Sequence, residues 1–180
     1  MMDRDAFLLI LKQYQKEGPT NLIALARELQ LGVYSSPMLN PAISGKLIRI
    51  KTEDAKKFDK GSGWYLLMNR DRPMGAIKES LAYLIAKFVL TDLSHYNLLS
   101  DSVRFRTMSA LEDPLEKQID TLALEILIPD TYFAQAIKKG KYIHEIPDLF
   151  KVDASTLSAK VGYTVYPLDF WVNARSSTRL

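Results

Sequence analysis

Apolar residues recur at helical spacing from the start of the chain: Phe7, Leu8, Leu11 and Tyr14 share one face of a 3.6-residue repeat. The pattern predicts a helix over residues 3 to 17, ended by Gly18-Pro19. A second helix follows, capped by Thr20 or Asn21, with Leu22, Ile23, Ala26 and Leu29 inward and Gly32 as its stop. Val33-Tyr34 reads as extended, and Ser35 to Ala42, with Pro37 and Pro41, as turn. Gly45 to Lys51 alternates and predicts a strand; Trp64 to Asn69 is more continuously apolar and predicts a more buried one. A charged loop, Thr52 to Gly63, joins the two, which suggests an antiparallel pair with helices on one face. Residues 77 to 93 are apolar almost all round from Leu81 to Leu90, the mark of a helix inside a domain, with the small Ala82 and Ala86 permitting close approach. After a polar, irregular stretch from 94 to 112, Asp113-Pro114 offers a cap and a first helical residue. That helix carries Ile119, Leu122, Ala123, Ile126 and Leu127 inward and stops at Pro129. Asp130 caps a short helix, Tyr132 to Lys139, closed by Gly140. A helical pair, Ile143 to Phe150 and Ala154 to Val161, follows, with Asp153 as cap and Gly162 as stop.

Composition narrows the class. Among 180 residues, 47% are hydrophobic and 25% charged, the balance of a soluble globular protein of one domain or one domain with an appendage. No apolar run reaches the roughly 18 residues needed to cross a bilayer, and the mixed-charge start, Met1-Met2-Asp3-Arg4-Asp5, is unlike a signal peptide. These features point to the cytoplasm and to no membrane partner. The chain has no cysteine, which excludes disulfides, thiolate metal sites and a cysteine nucleophile. Its two histidines, His95 and His144, stand at no metal-ligand spacing. The net charge of +3 is too small to imply direct nucleic-acid binding, and the lysine and arginine clusters read as solvated surface.

The helix at the centre of the chain is most informative for what it lacks. Ser80 to Leu90 read SLAYLIAKFVL. This stretch resembles the T-L-A-H-E-L-G-H-Y-L-L helix of the ImmA/IrrE family of zinc peptidases. Asn21 to Ala26 with Leu31-Gly32-Val33 resembles that family's first helix and its exit. Glu116 to Asp120 with Leu122 to Pro129 resembles its E-x-E-A-N-x-F-A-A-x-L-L-M-P helix, and Phe150 to Gly162 its closing segment. The similarity spans about residues 20 to 165. It implies an α+β, zincin-like fold, mostly helical with a small antiparallel sheet. It divides the chain into an N-terminal helix (1–19), a metallopeptidase-like core (20–142), a C-terminal helical pair (143–172) and a flexible tail (173–180).

In the family two histidines and a glutamate hold zinc, and the glutamate of the helix motif activates water. Carried over position by position, the histidines fall on Tyr83 and Lys87 and the catalytic glutamate on Leu84; only the third ligand survives, as Glu116. An alternative register over Lys78 to Ala82 keeps a glutamate but no histidine. An ammonium and a phenol cannot replace two neutral imidazoles on zinc, and a leucine cannot act as a general base. The resemblance therefore implies the fold without the catalytic centre, and no cofactor. Tyr83 and Lys87, four residues apart, share a helix face. Two arrangements are open there: Lys87 pairs with Glu116 in place of the metal, with Tyr83 completing the network, or Lys87 reaches solvent and Tyr83 is ordinary core.

The functional expectation is a catalytically inactive peptidase-like regulator of phage or mobile-element origin that acts through a protein partner, a helix-turn-helix repressor being the kind the family suggests. The alternatives are a hydrolase with a non-standard site and one half of a toxin–antitoxin pair. The expected docking strand is Trp64, Tyr65, Leu66, Met68 and Asn69. The aromatic cluster Tyr163, Tyr166, Phe170 and Trp171 either packs back on the body or docks a partner, with Tyr166, Phe170 and Trp171 as the candidate docking residues.

Overall fold

The opening apolar repeat forms helix α1 (Arg4–Tyr14), which buries Phe7 and Leu11 and leaves Leu9 outside. The computed structural model describes residues 4–15, 19–37, 40, 43–50, 63–95, 98–101, 113–141 and 143–163. Helix α2 (Leu22–Glu28) is capped by Asn21, whose side chain accepts the Ala24 amide at 3.1 Å. It buries Leu22, Leu25 and Ala26, whereas Ile23, expected inward, lies 40% exposed. Gly32 does not stop this helix. Gln30 takes the left-handed turn, at φ 58°, and the amides of Gln30 and Leu31 return to the carbonyls of Arg27 and Ala26. Gly32 instead begins strand β1 (Gly32–Ser36), where a Cβ would collide with the Tyr65 ring on the neighbouring strand.

Strands β2 (Gly45–Arg49), β3 (Trp64–Asn69) and β4 (Leu98–Asp101) complete a four-stranded sheet of order β1-β3-β2-β4. β2 runs antiparallel to β3 and to β4, but β1 runs parallel to β3, with Gly32 opposite Tyr65. The sheet is thus mixed rather than antiparallel throughout. Alternation of apolar residues fixes which side chains face inward, not the direction of the neighbouring strand. β4 lies in the stretch expected to be irregular; it forms by pairing Leu98 to Asp101 with β2.

Helix α3 (Met74–Leu90) buries every residue from Glu79 to Ala86. It packs closely on the sheet at Gly45, where a Cβ would stand 2.5 Å from Ser80 Oγ and 2.7 Å from Met68 Cε. Helix α4 (Pro114–Leu127) is capped by Asp113, which accepts the Leu115 amide at 2.8 Å, and buries Ile119, Leu122, Ala123, Ile126 and Leu127. Helix α5 (Asp130–Lys138) includes Asp130 as its first residue rather than as its cap; the Glu125 carboxylate accepts the Asp130 amide at 3.3 Å instead. Helices α6 (Ile146–Phe150) and α7 (Ala154–Tyr163) form the closing pair. Asp153 gives its carbonyl to the Thr156 and Leu157 amides, while its carboxylate lies against Gly75 of α3.

One apolar cluster runs from Phe7 and Leu11 through Leu47, Leu66 and Leu84 to Ile126, Phe150 and Leu157. The segments at 4–15 and 143–163 therefore pack into the same core as the middle of the chain. Among the described residues no helix is long and apolar enough to cross a membrane.

Two polar joints fix α7 against its neighbours. Thr156 Oγ1 donates to the buried Glu79 carboxylate of α3. Lys160, 4% exposed, donates to Glu125 at 2.8 Å and pairs with Asp130 at 2.7 Å, tying α7 to the end of α4 and the start of α5. Burial pushes the Glu125 carboxyl above its usual 4.5, against the opposing pull of Lys160. A carboxyl that holds its proton more tightly when folded adds stability in acid and loses that contribution as the pH rises through the window just above 4.5. Glu125→Gln is expected to abolish this downward slope, measured as urea midpoints across a pH series; an unchanged slope would locate it elsewhere.

Candidate functional site

Three side chains that the sequence singles out meet between α3 and α4. Tyr83 and Lys87 occupy successive turns of one α3 face, and Glu116 lies in the first turn of α4, where the helix dipole favours a carboxylate. Lys87 Nζ donates to Glu116 Oε1 at 2.7 Å, and Tyr83 donates its hydroxyl hydrogen to Oε2 at 2.7 Å. Lys87 Nζ also donates to the Tyr83 oxygen at 3.0 Å, which closes the triangle. The ammonium stands 5.3 Å from the Tyr83 ring centroid.

Exposure decides between the two arrangements left open by the sequence. The Lys87 side chain is 16% exposed and that of Glu116 18%. A lysine reaching for water would leave its ammonium in solvent; this one directs it at a carboxylate. The pair occupies the face where the family resemblance puts the metal ligands.

The site does not fit a zinc ion. An ammonium has three hydrogens and no lone pair to offer, and a phenol with its proton engaged on Glu116 is no imidazole. Only Glu116 is a competent ligand, and Lys87 and Tyr83 hold both of its oxygens. Among the described residues no three histidine, aspartate or glutamate side chains converge. His144 is exposed, and His95 ends the short turn Leu93–His95. Leu84, which the family resemblance aligns with the catalytic glutamate, is fully buried and packs toward Gly45 on the sheet side of α3. In the alternative register the glutamate is Glu79, which is buried and bonded to Thr156.

The expected docking strand needs correction. β3 is paired on both sides, parallel to β1 and antiparallel to β2, so it offers no free edge. Trp64, Tyr65, Leu66, Met68 and Asn69 are all buried. Asn69 serves the loops: its Nδ2 donates to the Ile43 carbonyl at 2.9 Å and its Oδ1 accepts the Asp71 amide at 3.1 Å. A continuously apolar strand is the signature of an interior position, and that signal was present in the sequence. Tyr166, Phe170 and Trp171 lie outside the described residues.

Sequence reasoning missed one feature. A cleft of about 530 Å³ opens beside the C-terminal end of α3, lined by Arg49, Trp64, Phe88, Thr91 and Asp92 among others. Arg49 stands 5.9 Å over the Trp64 ring, and Trp64 meets Phe88 edge-on with centroids 6.5 Å apart. Arg49 and Trp64 face one another across the β2–β3 ladder, a pairing visible only once the strand register is known. The cleft is not lined by Lys87 or Glu116.

Breaking a buried ion pair strands one charge, a loss of about 3–5 kcal/mol when both partners are fully enclosed. Lys87→Met alone is expected to cost an amount toward the lower end of that range, because this site keeps some solvent contact. Lys87→Met combined with Glu116→Gln is expected to recover most of the loss. Chemical denaturation of the two single variants and the double variant measures the coupling; additive losses would show that the two side chains act independently.

A family model for the IrrE N-terminal-like domain matches residues 48–161, from the end of β2 through most of α7. No curated protein sequence matches the chain. The matched span includes α3, α4 and α7 and covers well over half the sequence, so the chain belongs to the IrrE N-terminal-like family of metallopeptidase-like domains.

Proposed function

We propose that this protein is a peptidase-like domain that no longer cuts, and that it acts by binding a protein partner in the cytoplasm. The observation that carries the reading is the ion pair between Lys87 and Glu116. The ammonium supplies a positive charge to the surviving acidic ligand, and Leu84 puts a core side chain at the position from which a general base would work. Peptide hydrolysis at this site would need an activated water and a group to stabilise the oxyanion; Tyr83, Leu84 and Lys87 provide no base for the first. Family membership supports the frame, while chemistry follows from the side chains at the site.

The partner the family resemblance suggests is a helix-turn-helix repressor encoded nearby in a prophage or mobile element. On this reading the repressor is held and left intact. A partner that adds a strand would use β1 or β4, the outer strands of the sheet, rather than β3.

The test uses the purified full chain. Neither zinc nor a chelator is expected to move its melting temperature, whereas a metal bound to the folded state at one hundred times its Kd would add about 2.7 kcal/mol. Incubated with the repressor of the adjacent reading frame, with and without zinc, the protein is expected to form a complex and leave the repressor full-length. Thermal stabilisation by zinc, or cleavage that a chelator abolishes, would overturn the reading.

A further inference from the structure

Three parts of the fold meet at the cleft beside the C-terminal end of α3: the end of α2, the Arg49–Trp64 pair of β2 and β3, and the last turn of α3 with the residues after it. Its apolar lining is Leu29 and Trp64, both buried, with the half-buried Phe88 and Leu93. Arg49 is the one cation among the described residues that line it, and it forms no ion pair with them. The Trp64 ring, 5.9 Å from the guanidinium, gives that head a platform. A planar guanidinium held in this way suits a carboxylate, which it can meet with two parallel N–H donors.

The remaining polar groups carry the opposite sign. Glu28 and Asp92 line the same cleft. Glu28 Oε2 accepts the Tyr14 hydroxyl at 3.0 Å, a neutral donor that leaves the carboxylate its charge. The carbonyl end of α3, a helix of 17 residues, adds partial negative charge, because the last carbonyls of a helix have no donor within it. Thr91, the cap at that end, is 9% exposed, and its hydroxyl has no hydrogen-bond partner among the described residues. An enclosed hydroxyl left unbonded costs free energy that a bound polar group recovers. One guanidinium set against two carboxylates disfavours a phosphate ester, which carries more negative charge than Arg49 can meet. A plain amine would leave Arg49 unused, and a plain carboxylic acid would leave Glu28 unused. A small zwitterion with an apolar body satisfies all of these groups.

We infer that this cleft binds a free apolar α-amino acid, with its carboxylate on Arg49, its ammonium toward Glu28 and the carbonyl end of α3 beside Thr91, and its side chain against Phe88 and Leu93. The volume of about 530 Å³ falls within the roughly 300–1,000 Å³ of small-molecule sites. Lys87 and Glu116 do not line the cleft, so the inference is independent of whether the α3–α4 site cuts peptides. A ligand held there bridges α2, the sheet and α3 and stabilises the folded state by mass action.

Calorimetric titration of the purified full chain with L-leucine, L-phenylalanine and glycine tests the inference. One saturable site is expected for leucine, phenylalanine or both, and none for glycine, which lacks the apolar body. The tighter ligand is then compared with the acid that lacks its amino group and the amine that lacks its carboxylate; each is expected to bind about tenfold more weakly or worse. Arg49→Met is expected to weaken the amino acid by about tenfold and to leave binding of the amine unchanged, whereas Glu28→Gln weakens the amino acid by a similar factor and leaves binding of the acid unchanged. Both side chains are exposed, so the fold tolerates either change. Failure of both leucine and phenylalanine to saturate a site would overturn the inference. So would equal affinity for the amino acid and its two analogues, which would reduce the cleft to an apolar patch, or an affinity indifferent to both variants.

Discussion

Helix α3 is enclosed through its middle, so each polar group there must be met by whatever element covers it. That requirement orders the rest of the molecule. Glu79 is met by Thr156, which places α7. Tyr83 and Lys87 are met by Glu116, which places the start of α4. Ser80 is the exception: its hydroxyl has no hydrogen-bond partner among the described residues, and it sits directly against Gly45 of β2. Lys160 repeats the pattern one layer out, gathering α4, α5 and α7 around a buried ammonium. Apolar packing supplies the bulk of the stability, and these few polar contacts choose the arrangement, because a misplaced helix would leave a charge without a partner.

The same logic applies between α3 and α4 of this metallopeptidase-like frame. A metal site fastens two helices through a cation shared among their ligands. Here the cation is covalently part of α3, and the carboxylate it meets is Glu116 on α4, the residue that the family resemblance aligns with a ligand. Such a pair adds little net stability compared with well-packed apolar side chains, but losing either half is expensive. It therefore preserves the relative placement of α3 and α4. It also places an ammonium against Glu116 Oε1 and a hydroxyl on Oε2, and a metal approaching the same carboxylate would meet the repulsion of that positive charge.

Much of this was legible in the sequence where local periodicity decides. The spacing of Leu22, Ala26 and Leu29, the Asp113-Pro114 start and the near-continuous apolar run of α3 indicate helices close to those observed, although Ile23 faces outward rather than inward, and the Tyr83–Lys87–Glu116 group is identifiable from the family pattern. The misses share a physical cause, since each depends on a partner far away in sequence. The direction of β1 depends on β3, β4 exists only through its pairing with β2, and the role of Gly32 is set by the Tyr65 ring. Glu79 and Lys160 were visible as charges on otherwise apolar helical faces, which signals a buried pair, but the sequence did not name Thr156, Glu125 or Asp130 as their partners. The apolar run of β3 predicts burial, which the structure bears out, but β3 is an interior strand and not the docking edge, as burial on both faces already favours.

The central claim is that the cation between α3 and α4 is Lys87. Crystals grown in excess zinc, with anomalous data collected at the zinc edge, test it most directly. The account predicts no anomalous peak within bonding distance of Glu116 and Lys87 Nζ still on its carboxylate. An ordered zinc on Glu116, with Lys87 swung aside, would contradict it.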